Sequence, residues 1–275
     1  MKKRVKADKK EMFFKIAPIL EIVESAIWTG RIHNEKPVSI ILIAVQESCK
    51  TEALKYFRGT STLSYIGDLT SRGLVSYRSD IQARKLRHIV LMDLVRIVSH
   101  GRGTSDRTMQ TLSSLMEEGE SDVADAGGQE RWAGFPNIGI LTSVTPQIFK
   151  SKRGRWRATG FLSRFLPVSF SYSPETVHTI HKGIANGYKL PDPRPIKLPE
   201  GDPIITIEAP DAAILSRRAE ELGKRMKTYG FRYQKTLRRL AMGRALSRGR
   251  GTVNHTDIAK VLEWSDFFTD KEVIL

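Results

Sequence analysis

The apolar positions of this chain fall into two regimes. Through about residue 172, short apolar runs alternate with stretches of helical spacing, and beyond residue 204 the spacing is helical to the end. Five runs read as strands: residues 38–43 (VSIILI), 62–66, 88–93 (HIVLMD), 137–146 (NIGILTSVTP) and 168–172. They are short, rich in aliphatic and β-branched residues and bounded by turn residues, as in strands covered on both faces of a parallel sheet. Helices are predicted over 51–57 and 108–118, with a leading helix over 11–30. In that helix Phe13, Phe14, Ile16, Ile19, Leu20, Val23 and Ile27 keep helical spacing, and Pro18 either kinks it or marks its true start. Three helices fill the C-terminal part. They run over 211–229, stopped by Gly230, over 231–248, and over 256–268, started by the capping-type Thr256.

This alternation predicts an α/β fold: a five-stranded parallel sheet followed by a helical unit. Pro191, Pro193, Pro195, Pro199 and Pro203 stiffen the stretch between them into a connector. The expected organisation is a basic N-terminal segment with its helix (1–36), an α/β core (37–186), the connector (187–203) and a helical lid domain (204–275).

At 275 residues and 40% hydrophobic content, the chain can bury a sizeable core. A net charge of +15 favours a polyanionic partner, most simply nucleic acid, although a solvated basic surface would carry the same charge. The single cysteine, Cys49, excludes an intramolecular disulfide and suits a reducing compartment. No apolar run approaches the roughly 18 residues needed to cross a bilayer, so a cytoplasmic protein with no membrane partner is expected.

The densest chemistry follows the first strand. Residues 44–51, AVQESCKT, lead from it into a helix that begins at Lys50-Thr51. Strand, loop, Lys-Thr and helix is the layout of a phosphate-binding loop. There, backbone N–H groups hold phosphates, Lys50 reaches the β- and γ-phosphates, and the Thr51 hydroxyl ligates Mg²⁺. Ala44, Gln46, Glu47, Ser48, Cys49, Lys50 and Thr51 are the candidate ATP-binding residues. The usual glycines are absent: Ala44 stands for the first and Cys49 for the one before the lysine. A buried strand followed by an ordinary helix fits the same residues.

Residues 88–93 end in Asp93, as when a buried parallel strand delivers one carboxylate to a metal at its C-terminal edge. The alternative role for Asp93 is to cap the next helix. His178 and His181 share a helix face but have no third partner at metal-ligand spacing. Arg153, Arg155, Trp156 and Arg157 combine charge with an aromatic, as stacking surfaces for nucleic acid do, and Trp156 alternatively anchors its own loop.

The order of these motifs resembles the AAA+ core of minichromosome maintenance (MCM) helicases and, secondarily, MoxR-type ATPases. CKTEALKYF resembles the family's Walker A and following helix, and HIVLMD its Walker B strand. YIGDLTSRGL and LSSLMEEGESDVADAG resemble intermediate segments, ILTSVTP the sensor 1 strand, LSRF the arginine-finger motif and RYQKTLRRLAMGRA the sensor 2 helix. The resemblance implies that Asp93 holds Mg²⁺ with Thr51, that Thr145, with Ser143 beside it, is sensor 1, and that Arg164 is a finger acting on a neighbour's nucleotide. It makes Arg232 a lid arginine coupling nucleotide state to lid angle. It also implies ATP and Mg²⁺ bound between subunits of a hexameric ring or helical filament that acts on DNA as a helicase or remodelling factor.

Two departures qualify this. Leu94 stands where a glutamate polarises the attacking water, leaving Glu47 or Glu117 as substitutes. Asp125 stands where a hairpin lysine touches DNA. Slow hydrolysis is therefore expected. The rival functions are a MoxR-type protein remodeller and a nucleotide-locked scaffold that coats nucleic acid without turnover.

Overall fold

The computed structural model describes residues 15–119, 122–125, 128–131, 136–187, 189–271, 273 and 275. The basic segment and the start of the helix predicted from residue 11 lie outside these residues.

Among the described residues there are seven strands: β1 (Ile40–Ile43), β2 (Leu63–Ile66), β3 (His88–Leu91), β4 (Asp122–Asp125), β5 (Gly128–Arg131), β6 (Gly139–Val144) and β7 (Leu166–Ser169). Five of them form one sheet in the order β2-β3-β6-β1-β7, and every pairing in it is parallel. This is the predicted α/β class. β4 and β5 form a separate antiparallel hairpin in which Asp125 pairs with Gly128.

The helices are α1 (Ala17–Thr29), α2 (Lys50–Lys55), α3 (Arg78–Gln82), α4 (Val95–Ser99), α5 (Arg102–Glu117), α6 (Pro146–Ala158), α7 (Pro174–Ala185), α8 (Ala209–Met226), α9 (Phe231–Ser247) and α10 (His255–Trp264). Pro18 sits in the first turn of α1, so it marks the true start of that helix rather than a kink. Two predicted caps are corrected. The α10 cap is Asn254, whose side chain accepts from the Thr256 and Asp257 N–H groups while Asp257 answers from the third position. Gly230 does not end α8, which stops at Met226; it precedes α9.

Side chains alternate across the sheet. Ile40 and Leu42 of β1 join one core with α1, α2 and α8–α10, while Ile41 and Ile43 join a second core with α5 and α6. β1, β3, β6 and β7 are buried along their whole lengths, which explains why they are mostly apolar. The first core is continuous from β1 and β7 into the C-terminal helices. α1 belongs to that helical layer: α9 crosses it so closely that Gly243 lies against the Ser25 carbonyl. The proline-rich stretch is pinned along the core. Arg194 N–H donates to Tyr56, the Ile196 N–H donates to Thr60 Oγ1, and Asp202 pairs with Arg31 and Arg84.

Candidate functional site

The chain leaves β1, β3 and β6 at the same edge of the sheet, since Ile43 lies beside Val144 and Leu91 beside Thr142. From β1 the chain crosses toward β2, carrying α2 on one face, where Ala53, Leu54 and Phe57 join the first core. From β6 it crosses the other way to β7, carrying α6 on the opposite face, where Phe149 and Trp156 join the second core. The two connections thus leave adjacent strands onto opposite faces of the sheet. The crevice left at the carboxyl ends of such strands is where α/β sheets bind ligands.

Residues 44–51 line that crevice. Glu47 and Cys49 both take left-handed backbone conformations, with φ of 62° and 61°. Such positions favour glycine, so the loop makes the turns of a glycine-rich loop without glycine. Ser48 Oγ donates to the Val45 carbonyl at 2.7 Å, and the Tyr172 hydroxyl donates to the Ser48 carbonyl at 3.0 Å. Lys50 is buried; its ammonium donates to Val45 O at 2.5 Å and to Ser48 Oγ at 3.3 Å, both neutral acceptors. Burial lowers the Lys50 pKa, and the Asp93 carboxylate opposes that shift, so the two charges feel each other across the crevice. Burial likewise pushes the Cys49 thiol up, away from the reactive thiolate.

Asp93 is exposed just beyond β3, and its Oδ1 accepts from Val95 N–H at 2.9 Å, although the cap of α4 is the next residue, Leu94. Its contact with the first N–H of α4 and its electrostatic pull on Lys50 coexist. The exits of β3 and β6 are latched together: Ser143 Oγ donates to Met92 O at 2.7 Å and the Leu94 N–H to Ser143 O at 3.1 Å. Thr145 follows β6 and precedes α6, placing it on the same edge. Leu94 is fully buried in the second core. A carboxylate substituted there would be buried among apolar side chains rather than presented to water.

Arg164, Arg232 and Glu117 lie elsewhere. They share a cavity of about 680 Å³ with Lys36–Ser39 and Phe165–Pro167, the segments that lead into β1 and β7. This is the amino edge of the sheet, separated from the loop by the length of β1, roughly 13 Å at strand rise. Arg164 Nε donates to Ser113 O at 3.1 Å and its Nη1 to Gly160 O. Arg232 pairs with Glu117 at 3.2 Å and Lys36 with the same carboxylate at 3.4 Å. Burial pulls the Glu117 carboxyl up, but Arg232, Lys36 and Arg164 outweigh it and hold it below the usual carboxylate range. Two expectations are thereby corrected. Glu117 cannot stand in as the base for the chain's own loop, and Arg232 does not reach that loop.

The proposed stacking surface is corrected as well. Trp156 is 1% exposed and packs edge-on against Phe149 and Phe161. Arg153 and Arg157 pair with Asp270, and Arg155 with Asp106. Among the described residues the exposed aromatics are instead Tyr229 and Phe231. Their signal was present in the sequence, where KTYGFRYQK (227–235) interleaves aromatics with cations. Among the described residues no three His, Cys, Asp or Glu side chains converge to hold a metal, and no helix is long and apolar enough to cross a membrane.

No protein-family model matches the chain, and no curated protein is significantly similar to it.

Proposed function

We propose that this chain is an ATP-binding protein of AAA+ type, MCM-like in its motifs, which assembles head to tail and acts on DNA. The observation that carries this reading is Lys50. It is a buried ammonium at the crevice of the sheet, satisfied only by neutral oxygens and coupled to Asp93. A di- or triphosphate is the anion that such a group lacks, and it would replace Val45 O as the acceptor.

The loop residues 44–51 would wrap the phosphates, with Thr51 and Asp93 as the protein ligands of Mg²⁺. Two ligands suffice, because Mg²⁺ keeps several waters and takes its remaining oxygens from phosphate. The ion, when bound, supplies charge neutralisation at the β- and γ-oxygens. Thr145, on the adjacent strand exit, would hydrogen-bond the terminal phosphate.

Arg164 and Arg232 sit at the opposite edge, so neither can serve the nucleotide of its own chain. If they act on a nucleotide it belongs to another copy, and both then work in trans. An association of one edge with the opposite edge of the next copy is heterologous, closing into a ring or continuing as a helical filament.

The buried Leu94 supports a second reading, a nucleotide-held scaffold on nucleic acid with little turnover. Glu47 is then the one carboxylate the loop itself supplies. Steady-state ATP hydrolysis, alone and with single- or double-stranded DNA, separates the two. DNA-stimulated turnover supports the motor; nucleotide binding without turnover supports the scaffold; no nucleotide binding rejects both.

A further inference from the structure

Tyr229 and Phe231 are 86% and 68% exposed, yet they are stacked on one another, with ring centroids 5.8 Å apart and planes 17° from parallel. Gly230 between them is left-handed at φ 81°, and a Cβ there would lie 2.6 Å from Ala219 O, so the turn demands glycine. That turn presents both rings side by side at the rim of the amino-edge cavity. Core packing does not account for an aromatic pair held this far into solvent.

The surroundings are strongly cationic. Seven Lys or Arg side chains line the cavity against a single carboxylate among the described residues, Glu117. Glu117 is already shared by Lys36 and Arg232. Lys227 and Lys235, which flank the rings in sequence and line the same cavity, make no side-chain hydrogen bond or ion pair among the described residues. Unpaired cations on either side of exposed aromatic faces are the two components of single-strand recognition. Phosphates take the charge, and unstacked bases take the rings whatever their sequence. A duplex keeps its bases stacked inside and offers them to no such surface.

We propose that the Tyr229–Phe231 pair, with the unpaired Lys227 and Lys235, is a binding site for single-stranded nucleic acid. The site extends the DNA-directed part of the proposed function and is distinct from the Lys50 loop at the opposite edge of the sheet. It replaces the surface around Trp156, whose ring is buried.

The test is fluorescence anisotropy of a short labelled oligothymidylate and of an abasic oligonucleotide of equal charge, without nucleotide. The unmodified protein binds the oligothymidylate more tightly than the abasic strand. The Tyr229→Ala/Phe231→Ala variant loses about tenfold or more in oligothymidylate affinity and little for the abasic strand, while Phe231→Trp retains binding. Both rings are exposed, so their loss leaves the core intact. Lys50→Ala binds the oligothymidylate as the unmodified protein does, which keeps failure of this site distinct from failure of the ATP site. The proposal is overturned if the double variant binds oligothymidylate normally, or if the unmodified protein binds both strands equally. It is also overturned if the double variant loses self-association in sedimentation with its oligonucleotide binding, since the rings would then be a contact between copies.

Discussion

Gly243 of α9 and Ser25 of α1 meet where the two helices cross: a Cβ on Gly243 would lie 2.3 Å from the Ser25 carbonyl oxygen. Neither helix can retreat without opening a core that α1 shares with β1 and α8–α10. Gly243→Ala should therefore destabilise the fold by about 1–3 kcal/mol, as overpacking does. Gly154→Ala, in α6 with nothing within 4 Å of its Cβ, should instead stabilise by up to about 1 kcal/mol. Urea midpoints of the two variants, moving in opposite directions, are the check.

The left-handed backbone at Cys49 carries a steric cost of roughly 1–2 kcal/mol for any residue with a Cβ. Cys49→Gly should raise stability by about 1 kcal/mol, less the entropy that glycine adds to the unfolded chain. The Tyr172–Ser48 bond, made to the Ser48 carbonyl, is kept, whereas the hydrogen bond between the Tyr172 hydroxyl and the Cys49 thiol is lost and trims the gain. Thermal unfolding reads the effect, and a drop in melting temperature would mean that the thiol contributes packing the backbone argument omits.

His88 is fully buried between Gly30 and Gly139, with both ring nitrogens unpartnered. Burial first, then the neighbouring Arg87 charge, pushes its pKa down to about 3. The unfolded chain, with a histidine pKa near 6.5, binds the proton that the native state refuses. This contribution is thus intact above about pH 6.5 and is lost as pH falls from there toward 3, by up to about 1.4 kcal/mol per pH unit. Urea midpoints between pH 7.5 and 5 should fall accordingly; a flat profile would mean that the imidazole finds a partner.

Arg164→Ala should leave nucleotide binding by the single chain unchanged and weaken ATP-dependent assembly, because Arg164 lies at the edge opposite the loop. Sedimentation with and without ATP, beside a nucleotide titration of the same variant, measures both. Normal assembly and turnover in the variant would reject the head-to-tail arrangement.

The sheet was legible in the sequence because each central strand is buried on both faces and so reads as a short, mostly apolar run. The strand, polar loop and helix over residues 40–55 were legible because an apolar run, a short polar stretch and helical spacing follow one another. The misreadings arose where a side chain's direction depends on distant partners. Trp156 looked like a surface aromatic among arginines. Only the Phe149–Trp156 spacing, seven residues and two turns along one helix face, hinted at burial. Arg232 looked like a lid arginine, but its place depends on how α9 docks against α1 and the amino edge of the sheet. Sequence spacing carries no such information. Leu94 could be read as a lost catalytic position; its burial means that position faces the core.

The central claim rests on Lys50. Isothermal titration of ATP with Mg²⁺ into the unmodified protein and into Lys50→Ala tests it most directly. The account predicts saturable binding to the first and about a tenfold to hundredfold loss in the second, the worth of a charged hydrogen bond of about 1.5–3 kcal/mol. Equal affinity in the two proteins, or no binding to either, would contradict it.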